Sequence, residues 1–437
     1  MGLHESRGLL LRARVLGFKF YSLTRRIANI HTAIMASGEV GGRDMDIIHE
    51  RAAGMDISKR DVKVAVRKPG KRRGSYVSQV RTFGSTTNQV LALIDYLQSE
   101  QVTTVVMEAT SDYWKPFYYL MEDQLPVMLV NGKQARNIPG RKSDVNHSTW
   151  LAQLAAHDLL HCSFIPPEPI RQLRDLTRTR SAMVHDRTKV YQRIEKLLES
   201  SGIKLSAVAS TLTGVSARHM LGALAAGERD PQVLANMAQR RVRSKIPELI
   251  DAMERRFTDH HAFMMQLFLQ QADGLTEMID ALEVQIREAM VPFQEAASAI
   301  TTIPGLSDIT AQIIVTEIDV DMSVFPDAAH LASWAGVCPG QNESAGRSKS
   351  SHTWGGDSYL KAALGTAALN ATQQKESFLA ARYRRLYLRR GGSRLWWRLS
   401  IRSSPRSGTC WPMVRCSRIS AAITTGIGTS RERRSGR

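Results

Sequence analysis

The chain reads as an α/β amino-terminal domain, a helical middle and a mostly α carboxy-terminal domain. Three observations predict this. Short β-rich runs alternate with helix-spaced apolar patterns from residue 45 to about residue 161. Heptad-like apolar stripes follow a Pro-rich break, "FIPPEP", and short apolar helical patterns then flank a Gly- and Ser-rich stretch.

Composition sets the limits. At 437 residues and 43% hydrophobic content, the chain suits two or three globular domains with real cores. No run of about 18 uninterrupted apolar residues occurs, so no membrane partner is expected. Cys162, Cys338, Cys410 and Cys416 lack CxxC spacing. Neither a disulfide framework nor a zinc site follows, and a reducing cytoplasm fits. The net charge of +18 is uneven: residues 1–44 hold seven Lys/Arg against three acids, residues 45–390 hold 42 against 37, and residues 391–437 hold ten against one. A polyanionic partner suits the mildly basic body, but the high pI comes mostly from the ends.

Both ends depart from the pattern of the body. The opening stretch is Arg-rich and acid-poor like a targeting peptide, yet strand-like patterning begins only near "MDIIHERAAGMDISKRDVKVAV". Residues 1–44 are therefore expected to be a non-native extension, with translation starting at Met45. From Gly391 onward there is no lysine, no aspartate and no burying periodicity. Permitted codons for "IRSSPRSGTCWPMVRCSRISAAITT", read two bases on, can encode "SILTAIWHMLAHGALFQDLGGDHY", which has amphipathic helical spacing. Residues 391–437 are accordingly expected to be a frameshifted or disordered tail, not a nucleic-acid arm.

Within residues 45–163, "GMDISKRDVKVAVRK" predicts a strand around Val62 to Val66, and "SYVSQVRTFG" a second, hairpin-paired with it. "TTNQVLALIDYLQSE" has helical spacing, "VTTVVMEAT" is a buried-type strand ending in Glu108, and "LPVMLVN" is another strand. "DVNHSTWLAQLAAHDLL" predicts a helix with Trp150, Leu151 and Leu154 on its apolar side. Three carboxylates fall at element ends: Asp56 at the start of the first strand, Glu108 at the end of a central strand and Asp144 at the start of the last helix. His147 follows Asp144 at i+3, on the same helix face. Carboxylates converging in this way could cage two hard divalent cations, which align and activate a phosphodiester.

In residues 164–294, Leu173, Leu176, Met183, Val190, Ile194 and Leu197 form one apolar stripe, and Leu275, Ile279, Leu282 and Ile286 a second. Both predict long coiled-coil helices pairing within or between chains. Arg171, Arg174, Arg178, Arg180 and Arg187 could contact phosphates, with a solvated helix face as the default. In residues 295–390, "ITTIPGLSDITAQIIVTEI" pairs two helical patterns around a Pro-Gly turn at Gly305, in the manner of a helix-hairpin-helix that grips a DNA backbone. The following loop, "CPGQNESAGRSKSSHTWGGD", carries Arg347 and Lys349 for phosphate, and a serine there could attack a phosphodiester.

Together, "GMDISK", "VVMEATSDYWKPFYYL" and "GRKSDVNHSTWLAQLAAHDLL" resemble the RuvC-like domain of the DEDD transposases of bacterial insertion sequences, a family of RNA-guided DNA recombinases. The resemblance runs in order from about Met45 to Arg390. It implies an RNase H-like fold whose D, E, D, D quartet binds Mg²⁺, with Mn²⁺ as the alternative. Asp56, Glu108 and Asp144 match the first three members, and His147 stands where the fourth belongs. The family's serine lies in a P-x-x-x-E-S-A-G motif that Pro339, Glu343 and Ser344 match, so Ser344 is the implied nucleophile over Ser348, Ser350 and Ser351. Where the family has a basic residue and a Gly-Asn pair, this chain has "TWGGD", so Trp354 and Asp357 are expected to weaken a phosphate contact. Implied partners are DNA, a structured guide RNA and further copies of the chain in a dimer or tetramer. Arg141, Lys142, Gly305, Arg347 and Lys349 are the expected nucleic-acid contacts. Two rival readings stay open: a RuvC-like nuclease that uses water instead of serine, and a catalytically decayed remnant that only binds nucleic acid.

Overall fold

The computed structural model describes residues 47–72, 74–109, 111–132, 147–253, 256–338, 342–344, 347–350, 355–374, 377, 380–381, 383–385 and 419–423. The chain divides into two compact units, Met1–Phe164 and Ile165–Arg437. Arg141, Lys142, Asp144, Pro339 and Trp354, and most of the two ends, lie outside the described residues.

The first unit is built on β1 (Ala52–Ile57), β2 (Asp61–Pro69), β3 (Tyr76–Gly84), α1 (Thr87–Ser99), β4 (Thr104–Glu108), α2 (Lys115–Met121), β5 (Val127–Val130) and α3 (His147–Ala156). The strands form one mixed sheet in the order β3-β2-β1-β4-β5. β1, β4 and β5 run parallel, while β2 and β3 are antiparallel additions. Valines at alternate positions of β2, Val62, Val64 and Val66, are fully buried opposite Ile57, Met55 and Ala53 of β1. α1 covers that face with Val90, Leu93, Ile94 and Leu97, and its Tyr96 ring stacks near Phe83 of β3, with centroids 5.7 Å apart. Each large side chain so buried contributes about 1.5–3 kcal/mol.

The other face is defined by Ala52 and Gly54 of β1 and by Val106 of β4. α3 lies on it through Trp150, Leu151 and Leu154. Gly54 permits this approach: a Cβ there would stand 2.2 Å from the Ser148 carbonyl oxygen and 2.4 Å from the Ala152 nitrogen. No L side chain fits such a gap.

Asp56 lies near the carboxyl end of a separate strand, not at the start of the Val62–Val66 strand as the sequence predicts. The cause is the turn at Ser58–Arg60. Ser58 Oγ donates to Asp61 Oδ1 (2.6 Å) and accepts from the Arg60 and Asp61 amides (3.2 Å each), which reverses the chain between two strands.

The second unit opens with α4 (Glu168–Ser201), then the short helices α5 (Leu205–Val208), α6 (Val215–Ala225), α7 (Pro231–Asn236) and α8 (Ile246–Met253), and then α9 (Asp259–Ala289). α4 and α9 pair antiparallel within the chain. Arg180 faces Glu283 (3.6 Å), Arg187 donates to Thr276 Oγ1 (3.2 Å) and Arg193 to Gln271 Oε1 (3.5 Å), the partner number falling as the donor number rises. Of the two apolar stripes, Leu173, Val190, Ile194, Ile279 and Ile286 are buried. The outer ends of the pair share a core with α6 and α8 through Met220, Leu221 and Leu249. The inner ends share another with α10 (Gln294–Thr301), α11 (Asp308–Ile318), α12 (Ala328–Trp334) and α13 (Ser358–Gln373). Between α12 and α13, β6 (Asn342–Ser344) and β7 (Arg347–Ser350) form a two-stranded hairpin where the sequence suggests an open loop. A connection of only two residues, Ala345 and Gly346, is short enough to close one.

Candidate functional site

In the first unit, parallel strands bring two of the expected carboxylates side by side. β1 and β4 pair from Ala52↔Thr104 to Met55↔Met107. Asp56 and Glu108 are each the next residue, at the carboxyl ends of adjacent parallel strands. Because side chains alternate, both share the face of Gly54 and Val106, the face that α3 covers. Glu108 is buried at 7% exposure, and Asp56 is partly exposed.

α3 brings His147 to the same end. The imidazole Nε2 lies in direct contact with Glu108 Oε2. Its Nδ1 is buried and has no hydrogen-bond partner among the described residues. Gly132, two residues beyond β5, backs the carboxylate from another side: a Cβ there would fall 1.8 Å from Glu108 Oε1 and 2.4 Å from Cδ. Neither this glycine nor its contact is legible in the sequence, which marks only the preceding strand, "LPVMLVN".

Two carboxylates and an imidazole are chemically suited to a divalent cation, oxygen donors for Mg²⁺ and the added nitrogen for Mn²⁺. The unpartnered Nδ1 belongs to that same donor set. Among the described residues, no three His, Cys, Asp or Glu side chains gather closely enough to hold a metal ion.

In the second unit, the hairpin register sets Ser344 opposite Arg347 and Glu343 opposite Ser348, with Lys349 and Ser350 farther along β7. The expected nucleophile and the expected phosphate-binding arginine are thus cross-strand partners. Gly305 sits in the turn between α10 and α11 with φ +86°, and a Cβ on it would be 2.6 Å from the Ala371 nitrogen. This glycine therefore seats the turn on the backbone of α13.

Besides Arg180, Arg187 and Arg193, which bond to α9, two further arginines of α4 serve the fold. Arg174 donates to the Thr316 and Glu317 carbonyls at 3.0 and 2.7 Å. Arg178 grips the fully buried Glu317 carboxylate with Nε (2.9 Å) and Nη2 (2.7 Å), and Nη2 also reaches Asp357 Oδ2 (2.9 Å). Asp357 caps α13, accepting from the Leu360 amide at 2.7 Å. Its carboxylate is thus engaged inside the unit, a role the sequence did not suggest. Burial, the largest influence, raises the Glu317 carboxyl above its ordinary pKa, and Arg178 and Arg174 oppose that rise.

Comparison of the sequence with known families finds two matching models. One, of the IS110 type of DEDD transposases and described as "Transposase", matches residues 53–203. The other, "Transposase IS116/IS110/IS902 family", matches residues 297–384. Together they cover more than half of the 437 residues. No curated protein matches the chain. No described helix is long and apolar enough to cross a membrane.

Proposed function

Since the chain belongs to the IS110 family of insertion-sequence transposases, a family of DNA-processing enzymes, we propose that it cuts and rejoins DNA strands through a serine nucleophile and a RuvC-like carboxylate site. The observation that carries the reading is the placement of Asp56 and Glu108 on one face at the carboxyl ends of adjacent parallel strands, beside His147. The strand order β3-β2-β1-β4-β5 supports an RNase H-like fold for this unit.

In this reading Asp56, Glu108 and Asp144 would hold a divalent cation, Mg²⁺ or Mn²⁺. When bound, it supplies charge neutralisation at the scissile phosphate. The Ser344 hydroxyl oxygen forms a bond to phosphorus as the phosphorus–oxygen bond to the departing strand breaks. The hydroxyl proton goes to a base, and the leaving oxygen takes up a proton. Arg347 and Lys349, with Arg141, Lys142 and the Gly305 turn, contact the nucleic-acid backbone. The reading extends to a structured guide RNA that selects the DNA by base pairing, and to a homo-oligomer, a dimer or tetramer.

The test is a strand-transfer assay with the element's DNA and RNA in Mg²⁺ and in Mn²⁺, resolved on denaturing gels. A covalent DNA–protein adduct should form and should vanish in Ser344→Ala. Cleavage that persists unchanged in Ser344→Ala sinks the serine mechanism and favours the water-using nuclease.

The direct contact between His147 and Glu108 favours one further reading, a chain that retains nucleic-acid binding with impaired cleavage. No product with either ion, alongside salt-sensitive DNA binding, decides for it.

A further inference from the structure

β1, the Ser58–Arg60 turn and the β2–β3 hairpin carry an uneven distribution of charge. Residues 59–84 hold nine Lys/Arg and a single acid, Asp61. Six of the cations lie on the strands or the Ser58–Arg60 turn and fall into two groups. Lys68 is paired with Glu100 (2.7 Å), Arg67 lies over the Tyr76 ring (3.7 Å) and Arg81 over the Tyr96 ring (4.3 Å). These three have structural partners. Lys59, Arg60 and Lys63 are exposed, and none makes an ion pair among the described residues.

Lys71 and Arg72, exposed and likewise without an ion pair among the described residues, lie at the far β2–β3 turn, whereas Lys59, Arg60 and Lys63 lie at the Asp56 end of the sheet. The register pairs Lys63 directly with Asp56. Opposed residues of an antiparallel pair project to the same face with Cβ atoms about 4.5–5.5 Å apart, so Lys63 shares the face of Asp56 and Glu108. Lys59 and Arg60 ride on a turn fixed at several points. Besides the Ser58 bonds, the Ser85 amide donates to the Arg60 carbonyl (3.1 Å) and Ser85 Oγ to the Lys59 carbonyl (3.1 Å). The one acid within the turn, Asp61, accepts from the Ser58 hydroxyl and forms no ion pair with these cations among the described residues. A rigid turn keeping two exposed cations beside a third, next to a carboxylate pair, has the chemistry to receive a chain of phosphates.

We propose that Lys59, Arg60 and Lys63 form a phosphate clamp that seats one nucleic-acid strand across the end of the sheet beside Asp56. The clamp rests on the reading of the Asp56–Glu108 end as the catalytic end, and it names the residues that position the strand there. These side chains act as positioning residues through the backbone phosphates, so they are indifferent to base sequence.

The experiment uses the full chain and a fluorescein-labelled duplex of mixed sequence, with anisotropy read in EDTA across a salt series. Each phosphate contact contributes about 0.9 to the slope of log K against log salt. The triple variant Lys59→Gln, Arg60→Gln, Lys63→Gln should bind more weakly and lose about 2–3 from that slope. Changing the two lysines to arginine should keep both affinity and slope. A charge-matched control, Arg240→Gln, Arg241→Gln, Arg243→Gln in the second unit, should leave the slope as in the unaltered chain. If the triple variant fails to fold by circular dichroism, Lys63→Gln alone carries the test, with an expected slope loss of about 0.9. An unaltered slope in the clamp variant, or an equal loss in the control, overturns the clamp while leaving nucleic-acid binding intact. Absence of salt-dependent binding by the unaltered chain overturns both the clamp and the DNA reading beneath it.

Discussion

The His147 imidazole and the Glu108 carboxylate meet at the carboxyl end of β4, Nε2 against Oε2, while Gly132 backs the other carboxylate oxygen. In this geometry the fourth position of the expected quartet is joined to the second by a hydrogen bond, where two carboxylates would repel. An aspartate in place of His147 would turn attraction into repulsion unless a cation sat between the two. His147→Asp should therefore lower stability by about 1–3 kcal/mol in EDTA, and Mg²⁺ should restore more stability to it than to the unaltered chain. Thermal melts with and without Mg²⁺ check this. Equal melting in EDTA would show that the contact contributes nothing.

Gly132→Ala tests the same carboxylate by steric means. A Cβ placed 1.8 Å from Glu108 Oε1 forces the side chain away from His147. A cost of about 1–3 kcal/mol is expected, together with loss of strand transfer. Denaturant unfolding alongside the transfer assay measures both, and an alanine variant unchanged in each would contradict the close approach.

The buried carboxylate of the second unit makes a pH-dependent prediction. In Arg178→Met, Glu317 loses its two-pronged partner but keeps its burial, which already raises its pKa above the ordinary value. A carboxyl whose folded pKa is raised contributes stability in full below its unfolded pKa and loses it as pH rises through the folded value. The variant's deficit should be about 3–5 kcal/mol near neutrality and shrink toward about pH 4, where the unfolded carboxyl also protonates. Urea unfolding of both chains across this range gives the comparison. A deficit that grows on acidification would reverse the assignment.

Asp357 separates a helix cap from a nucleic-acid effect. Asp357→Ala removes the acceptor for the Leu360 amide and the contact with Arg178, and should cost about 1–2 kcal/mol. Asp357→Asn keeps an acceptor and should cost less, with DNA affinity unchanged. An increase in DNA affinity in Asp357→Asn would restore the expectation that this aspartate weakens a phosphate contact.

Most of the sheet was legible because its strands are rich in β-branched residues: β2, β3, β4 and β5 all fall on runs that the sequence marks. β1 escaped notice. Its sequence, "AAGMDI", is small-residue-rich because α3 packs on Gly54, and what suits that contact also removes the usual strand signal. Glu108 and Asp56 were legible from motif order, but their adjacency follows from the parallel register of β1 and β4. Arg178 could not be distinguished from a solvated cation, since Glu317 and Asp357 stand 139 and 179 residues away along the chain. Pairings at such separations leave no local pattern to read.

The antiparallel pairing of α4 with α9 has a topological consequence. Residues 202–258, which share an apolar core with the outer ends of both helices, leave the helical pair and return to it side by side. They are a bracketed insertion, a loop of sequence grown into a small helical body at the outer end of a strut. Shortening the strut in register, with matched whole turns removed from both helices, would move that body inward while the core around α11 and α13 keeps its own connectivity. Length along this axis is therefore an adjustable dimension of the architecture, set by the number of paired helical turns.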